Sequence, residues 1–505
     1  MGKHAMTAPI AERTRADAQW SPARYSVLCR MKRFFERYDG DAEFRVRYEQ
    51  NPRRALASVA PDLALEDIRA VRSVPRHPPA SIVDDVSLPP LARDYCRFVL
   101  ERALRFNRLR AEAGPLDPRF RGWRRRRMLQ AEDELGSEFS QMLLFSTAAF
   151  ELSKGCSVGC WFCGVSAPRL EDHFRYTSVN RRLWREVLEA MIDLGGLEAM
   201  HINFCFWATD PLDNPDYEAF ADDYRAIAGA YPPLTTALAL RDPERTRRML
   251  DRFDADVCRF SILTVPMLDR LHREFTPEEL GGVDLALVTP GSRMIKANAG
   301  RFRERAAAHP ELLQVERGKR SARREFFQGP ADRGEDVPGT IACVAGFLIN
   351  MVERRVRLIS PCAASERWPL GFVLYGDRRF EDGRDFRRVC EELVCEHMFT
   401  RWPAGRAVRF RPSLHFHPLG SGFELRSTHH RWSIEAAWQG AACHDLGAWI
   451  NDGCHQPGEL TELLLERHFV SAFETEKQIS QLLREGLLDE EPPPRAATSP
   501  SQGAP

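Results

Sequence analysis

Between Met142 and Ala308 the chain alternates apolar runs of strand length with amphipathic helical repeats, and that rhythm restricts the fold more than any other feature. Strand-like "FSTAAFEL" leads past a loop to "RRLWREVLEAMIDLGG", where Leu183, Trp184, Val187, Leu188 and Met191 share one helical face and Gly195 stops the helix. Strand "AMHINFCFW" precedes a helix after Pro215. Strand "LTTALAL" precedes helix "DPERTRRMLDRF", with Asp242 as N-cap and Pro243 in the first turn. "VCRFSILTV", "PMLDRLHREF", "VDLALVT" and "KANAGRFRERAAA" continue the series. Strands joined through helices run parallel, which predicts an α/β fold. A closed or partly closed barrel follows, with chemistry at the carboxyl ends of its strands.

The flanks divide the rest of the 505 residues. Residues 1–22 are polar and mixed and read as disordered, as does the Pro-, Ser- and Ala-rich tail 490–505. Residues 23–135 carry apolar positions at three- and four-residue spacing and form a helical domain. Within it "FRGWRRRRM" (120–128) reads as a solvated helix face or linker rather than an anion site. The barrel spans 140–340, and its charged segment 316–339 reads as a loop. A strand-rich extension, 341–410, holds the paired strands "ACVAGFLINMV" and "RRVRLIS". In 411–489 short strands "FELRS" and "RWSIE" precede three helical stretches, around Leu446–Ile450, Leu460–Leu464 and Ile479–Leu483. Their spacing suggests a winged-helix module.

Composition narrows the setting. The charge balances, 72 basic against 72 acidic residues, so no global field favours nucleic acid or a membrane surface. The start is not a signal peptide and no apolar run is long enough to span a bilayer. Thirteen cysteines, an odd number, then point to a reducing cytoplasm, where clustered thiols bind metal or do chemistry.

Such a cluster follows the first strand: Cys156, Cys160 and Cys163 in "CSVGCWFC", spaced C-x3-C-x2-C with Phe162 before the last. A structural zinc site wants four ligands, usually from paired knuckles, and a disulfide framework wants an even count. Three soft thiolates suit a [4Fe-4S] cluster with one iron left open. At these residues the chain resembles the radical SAM enzymes, whose open iron chelates S-adenosylmethionine. The resemblance implies a partial (β/α)6 TIM-like barrel. It also implies a second-strand turn that binds the methionyl ammonium, here Ala208, Thr209, Asp210 and Pro211. The family's paired glycines are replaced and its Glu has become Asp, but a carboxylate remains. Ser261 on the fourth strand is a candidate for the ribose or carboxylate of the cofactor, or an ordinary strand serine.

"FELSKGCSVGCWFCGVSA", "FWATDPLDNPDYE", "LISPCAASERWPLGF" and the C-terminal module together resemble the proteusin-type radical SAM epimerases, which convert L- to D-residues in ribosomally made peptides. That resemblance implies a cysteine that returns a hydrogen atom to the substrate Cα. Cys362 is the first candidate and Cys343 the second. It implies, too, a precursor peptide whose leader is held by the C-terminal module, and an electron donor such as flavodoxin or ferredoxin. No nucleic acid is expected, because acidic residues mark the last two helices. Two other readings use the same residues: a crosslinking or thioether-forming maturase, and an iron–sulfur regulator with a DNA-binding winged helix. An auxiliary cluster on Cys343, Cys362, Cys390 and Cys395 is disfavoured, since dense short spacings are lacking. His415 and His417 share a strand face without a nearby carboxylate or cysteine, a poor metal site. Cys29, Cys96, Cys205, Cys258, Cys443 and Cys454 read as structural thiols.

Overall fold

A computed structural model describes residues 20–74, 80–253, 257–327, 337–435 and 440–493. The expected disorder therefore lies mostly outside the described residues. Its inner ends are ordered: Ser21 caps the first helix through the Arg24 amide at 3.3 Å, and Pro22 opens it.

Helices α1 (Pro22–Gly40), α2 (Ala42–Gln50), α3 (Pro52–Ala57), α4 (Leu65–Ser73) and α5 (Pro90–Glu112) pack around Leu28, Met31, Phe34, Phe44 and Tyr48. Helices α6 (Pro118–Leu135) and α7 (Ser137–Gln141) then lead into β1 (Ser146–Glu151), which is buried throughout. A short ribbon, β2 (Ser153–Lys154) with β3 (Asp172–His173), brackets the cysteine loop. Next come α8 (Ser178–Gly195), α9 (Leu197–Met200), α10 (Tyr217–Ala228), β4 (Leu234–Thr236), α11 (Pro243–Leu250) and β5 (Cys258–Ile262). After them follow α12 (Val265–Glu274), β6 (Asp284–Leu287), α13 (Gly300–Ala308) and α14 (Pro310–Phe327).

The alternation is real, and β4, β5 and β6 are parallel neighbours. Among the described residues the strands group as separate sheets, β1 with three later strands and β4–β5–β6, beside two others. The reason lies in 199–207, expected as the second strand. Its first residues turn into α9, its aromatic residues stack (Phe204 on Phe206, centroids 4.3 Å apart), and it meets β1 through one Ala149–Phe204 bridge and side-chain bonds of Ser146 and Asn203 rather than a continuous ladder. Strand β1 instead pairs in parallel with β7 (Val344–Asn350), which continues antiparallel to β8 (Arg355–Pro361) and β9 (Phe372–Arg379). The strand-rich extension expected over 341–410 contributes β7, β8 and β9 to the sheet that begins with β1, and α15 (Gly383–His397) covers it. The segment from 316, read as a loop, continues α14; Glu316 is buried there between Lys296 and Lys319.

Each sheet has two faces. Phe150, Phe347, Ile349 and Leu358 join Phe260 and Ile262 in the main core beneath α8 and α12. The opposite faces carry Ala149, Leu348 and Ile359 on one sheet, Arg259 and Ser261 on the other. Arg259, on the inward face of β5, exerts its charge on the Cys343 thiol at the start of β7.

The C-terminal part is an antiparallel meander, β10 (His415–Leu419), β11 (Gly422–Arg426) and β12 (Arg431–Ile434), followed by α16 (Gly440–Asp452), α17 (Pro457–His468) and α18 (Ala472–Arg484). It has its own core around Phe423, Leu446, Leu464 and Leu482. Helix α16 lies so close to β11 that a Cβ on Gly447 would sit 2.3 Å from Phe423 Cδ1. The basic run is not solvated. Arg124, Arg126 and Arg127 of α6 are buried, and the latter two pair with Glu490, placed in the tail by its composition but fully buried. Out of reach of water, the two guanidinium groups and the carboxylate must compensate one another.

Candidate functional site

The loop that carries the three cysteines begins at Gly155, φ 83°, where a Cβ would lie 2.1 Å from the Arg169 carbonyl oxygen. Only glycine fits that approach. The Cys156 amide donates to Pro168 O at 2.9 Å and the Cys163 amide to Cys160 O at 3.2 Å, which closes the loop on itself. Its position, just past the carboxyl end of β1, is the one the alternating pattern predicts.

All three cysteines are free and half-buried. Burial, with small contributions from Asp210 and Asp213, pushes the Cys156 thiol up to about 11 against the amides of Val158 and Gly159. Burial and the charges of Cys163 and Cys156 push Cys160 up to about 12. The three sulfurs therefore lie within one another's electrostatic reach. The Cys163 sulfur accepts the Ala167 amide at 3.4 Å, a bond of the kind that stabilises thiolate ligands. As the side chains stand, no three His, Cys, Asp or Glu groups converge on a metal-sized position among the described residues. The donor set fits a thiolate-ligated iron–sulfur cluster by its chemistry: three free soft ligands and no fourth in the loop.

Three residues that sequence reading passed over hold this loop. Asp213 has a fully buried side chain and accepts from the Ser157 amide at 2.9 Å and the Ser157 hydroxyl at 2.6 Å. Arg241 donates to both partners, at 2.9 Å to Asp213 and 2.6 Å to Ser157 Oγ. On the other flank Arg301 donates its amide to Cys163 O at 3.0 Å, one guanidinium nitrogen to Cys160 O at 3.1 Å and another to Ala167 O. No local pattern announces these contacts, which span dozens of residues in sequence. Phe162 packs edge-on to Trp161, and the Lys296 ammonium lies 5.6 Å from its ring centroid. Burial, then Lys319, lowers the Lys296 pKa, while Glu316 opposes them.

The turn at Ala208–Pro211 adjoins the loop through Asp213, but Asp210 is not a free carboxylate. It is 5% exposed and accepts from Thr236 Oγ1 at 2.7 Å, the Ala237 amide at 2.7 Å and the Leu212 amide at 3.0 Å. Burial pushes it up to about 6 in spite of those bonds. These bonds latch the turn to the end of β4 while Oδ2 keeps acceptor capacity beyond the Ala237 amide. Thr209 is buried, with its hydroxyl 3.5 Å from Asp210 O. The Ala208 amide donates at 2.9 Å to Glu151, the last residue of β1. Glu151 also accepts from Asn350 at 3.1 Å and lies 3.5 Å from Arg357. Burial raises its pKa, with Arg357 opposing most strongly. A carboxylate ending an otherwise apolar strand was the available signal for it.

Ser261 is half-buried on the inward face of β5, paired in register with Ala286. Cys362 is 3% exposed; burial, Glu134 and Glu491 raise its thiol well above the ordinary range. Cys343 is half-buried, donates weakly to Ile341 O at 3.5 Å, and is raised by burial against the Leu144 amide, Arg259 and Arg110. Cys390 is buried in α15 and Cys395 is exposed beside Arg119 at 3.2 Å, so the four cysteines of the auxiliary reading do not converge. His415 and His417 lie on edge strand β10, in no such cluster. Among the described residues no helix is long and apolar enough to cross a membrane.

Among curated proteins the chain is 34% identical over 493 residues to "Uncharacterized protein y4wI" of Sinorhizobium fredii, covering 96% of this chain and 91% of that protein. No family model and no solved structure matches. The chain belongs to the family of y4wI.

Proposed function

We propose that this member of the y4wI family is a radical SAM enzyme that epimerises residues of a ribosomally made peptide. The observation that carries the reading is the loop of three free cysteines at the carboxyl end of β1, pinned on one side by Asp213 and on the other by Arg301. Cys156, Cys160 and Cys163 would hold the [4Fe-4S] cluster. When bound, the cluster and S-adenosylmethionine supply a 5'-deoxyadenosyl radical that removes a substrate Cα hydrogen.

The chain's own residues then have separable tasks. Glu151 and Asp210 fix the Ala208–Pro211 turn from two sides, so its carbonyl oxygens and Asp210 Oδ2 are the acceptors left for an ammonium. Phe162 walls the loop, and Ser261 presents a hydroxyl on the inward face of β5. Cys343 is favoured over Cys362 as the hydrogen-atom donor. Its thiol is half-buried and feels Arg259 across the inward space, whereas Cys362 packs into the core beside Glu134 and Glu491. The leader of the precursor peptide would add to an edge of the β10–β11–β12 sheet, main-chain bonds giving affinity and side-chain pockets selectivity. Flavodoxin or ferredoxin is the electron donor of the proposal, and the setting is the cytoplasm.

The test is co-expression in heavy water with the precursor peptide encoded beside the gene, read by mass spectrometry and chiral amino-acid analysis. The exchangeable donor thiol predicts D-residues each heavier by one deuterium. Cys343→Ala abolishes them and Cys362→Ala does not. A peptide that loses two hydrogens instead would move the enzyme to crosslinking.

A further inference from the structure

The end of the central sheet at which β1 begins gathers three guanidinium groups. Arg124 of α6 is 6% exposed; its Nε donates to Phe145 O at 2.6 Å, while its Nη2 is buried without a hydrogen-bond partner. Arg110, near the end of α5, lies 5.1 Å from the Phe145 ring centroid. Burial and the Arg110 charge push Arg124 down to about 10, so the two cations stand close together. The Cys343 carbonyl accepts the Ser146 amide at 2.8 Å, which sets Cys343 beside Phe145 and its two arginines; Arg259 is exposed on the inward face of β5 and, with Arg110, acts on the Cys343 thiol.

A buried cation ordinarily finds a carboxylate, because an unpaired one is costly to desolvate. Among the described residues none forms an ion pair with any of these three arginines. Glu132 raises Arg110 only at a distance, and Asp284 stands beside Arg259 in the β5–β6 register. Phe145, whose carbonyl and ring receive Arg124 and Arg110, is held at φ 50°, a conformation that a bulky residue keeps only where its surroundings enforce it. The chain thus maintains, at some cost, a cluster of positive charge with a spare donor beside a half-buried thiol.

We propose that Arg110, Arg124 and Arg259 form a carboxylate-binding site next to Cys343 that receives an acidic side chain of the peptide substrate. The choice of a peptide rests on the proposed function; the carboxylate site does not. Guanidinium forks match planar carboxylates in two-point contact. A Glu or Asp held there would fix which substrate residue lies against the Cys343 sulfur, and so determine where along the peptide the enzyme acts.

Iodoacetate and iodoacetamide test this on the full chain, without cluster or turnover. Both alkylate by the same step: the thiolate sulfur bonds to the CH2 carbon as iodide leaves, and the reagents differ in a carboxylate against an amide. The quantity read is the ratio of the two rates at Cys343, by peptide mass spectrometry, relative to the same ratio at exposed Cys454. Two cations beside an incoming carboxylate in a water-like medium predict a ratio on the order of tenfold higher at Cys343. Arg259→Gln, at an exposed position, lowers it several-fold, and Arg124→Met lowers it further. A capped glutamate peptide, and not its glutamine counterpart, slows iodoacetamide at Cys343. Equal ratios at the two cysteines would overturn the site, as would a Cys343 that neither reagent modifies while Cys454 reacts. Equal protection by succinate or inorganic phosphate would overturn its assignment to a peptide side chain. None of these outcomes depends on whether the chain cleaves S-adenosylmethionine.

Discussion

Glu490→Gln removes one negative charge from a place where two positive charges depend on it. Glu490 accepts from Arg126 Nε at 2.8 Å, from Arg126 Nη2 at 2.5 Å and from Arg127, and the three side chains are 0%, 4% and 1% exposed respectively. The amide keeps one acceptor and leaves two guanidinium groups confronting each other out of reach of water. Breaking a buried pair from one side costs about 3–5 kcal/mol. For a unit of this size that corresponds to a fall in Tm of at least about 6 °C, measured by circular dichroism at pH 7. Burial pushes the Glu490 carboxyl up, but the Arg127 and Arg126 charges outweigh it and hold the pKa below its ordinary 4.5. A lowered carboxylate pKa contributes stability that is full above the unfolded value and disappears as pH falls through the folded one. The difference between parent and variant should therefore begin to shrink as pH falls below 4.5 and vanish only below the lowered folded-state value. A variant within 1 °C or so of the parent at pH 7 would refute the claim that this contact fastens α6 to the end of the chain.

Asp213→Asn should loosen the cysteine loop by removing charge-assisted bonds to Ser157 and Arg241, each of about 1.5–3 kcal/mol; iron retained after anaerobic reconstitution should fall, while the far-ultraviolet spectrum stays that of the parent. Gly447→Ala should cost about 1–3 kcal/mol by driving a methyl group into Phe423. Limited proteolysis should show that loss confined to the 411–489 part, and cleavage within the central sheet would contradict it.

Local features were legible in the sequence. The Asp242 cap is present, with the Arg245 amide 2.9 Å from Asp242 Oδ1, and α8 buries the five residues its periodicity assigned to one face. The cysteine loop follows β1 because a strand and the glycine that ends it are neighbours in the chain. What escaped was non-local. The pairing of β7 with β1 joins residues about two hundred positions apart, and nothing in either strand names its partner. The arginine-rich stretch of α6 looked solvated because its counter-charge is Glu490. The bonds of Asp210 to Thr236 and Ala237 were hidden because those residues stand at and just past the end of the next strand, β4. At 199–207 the composition favoured a strand, and tertiary packing of its aromatic residues overrode that preference.

The central claim, that Cys156, Cys160 and Cys163 hold a cluster that activates S-adenosylmethionine, is tested most directly by anaerobic reconstitution with iron and sulfide, followed by S-adenosylmethionine and dithionite. The account predicts about four irons per chain, lost in Cys160→Ala, and equimolar 5'-deoxyadenosine and methionine by mass spectrometry. A chain that binds about four irons and forms no 5'-deoxyadenosine, or whose iron survives the loss of Cys160, would contradict it.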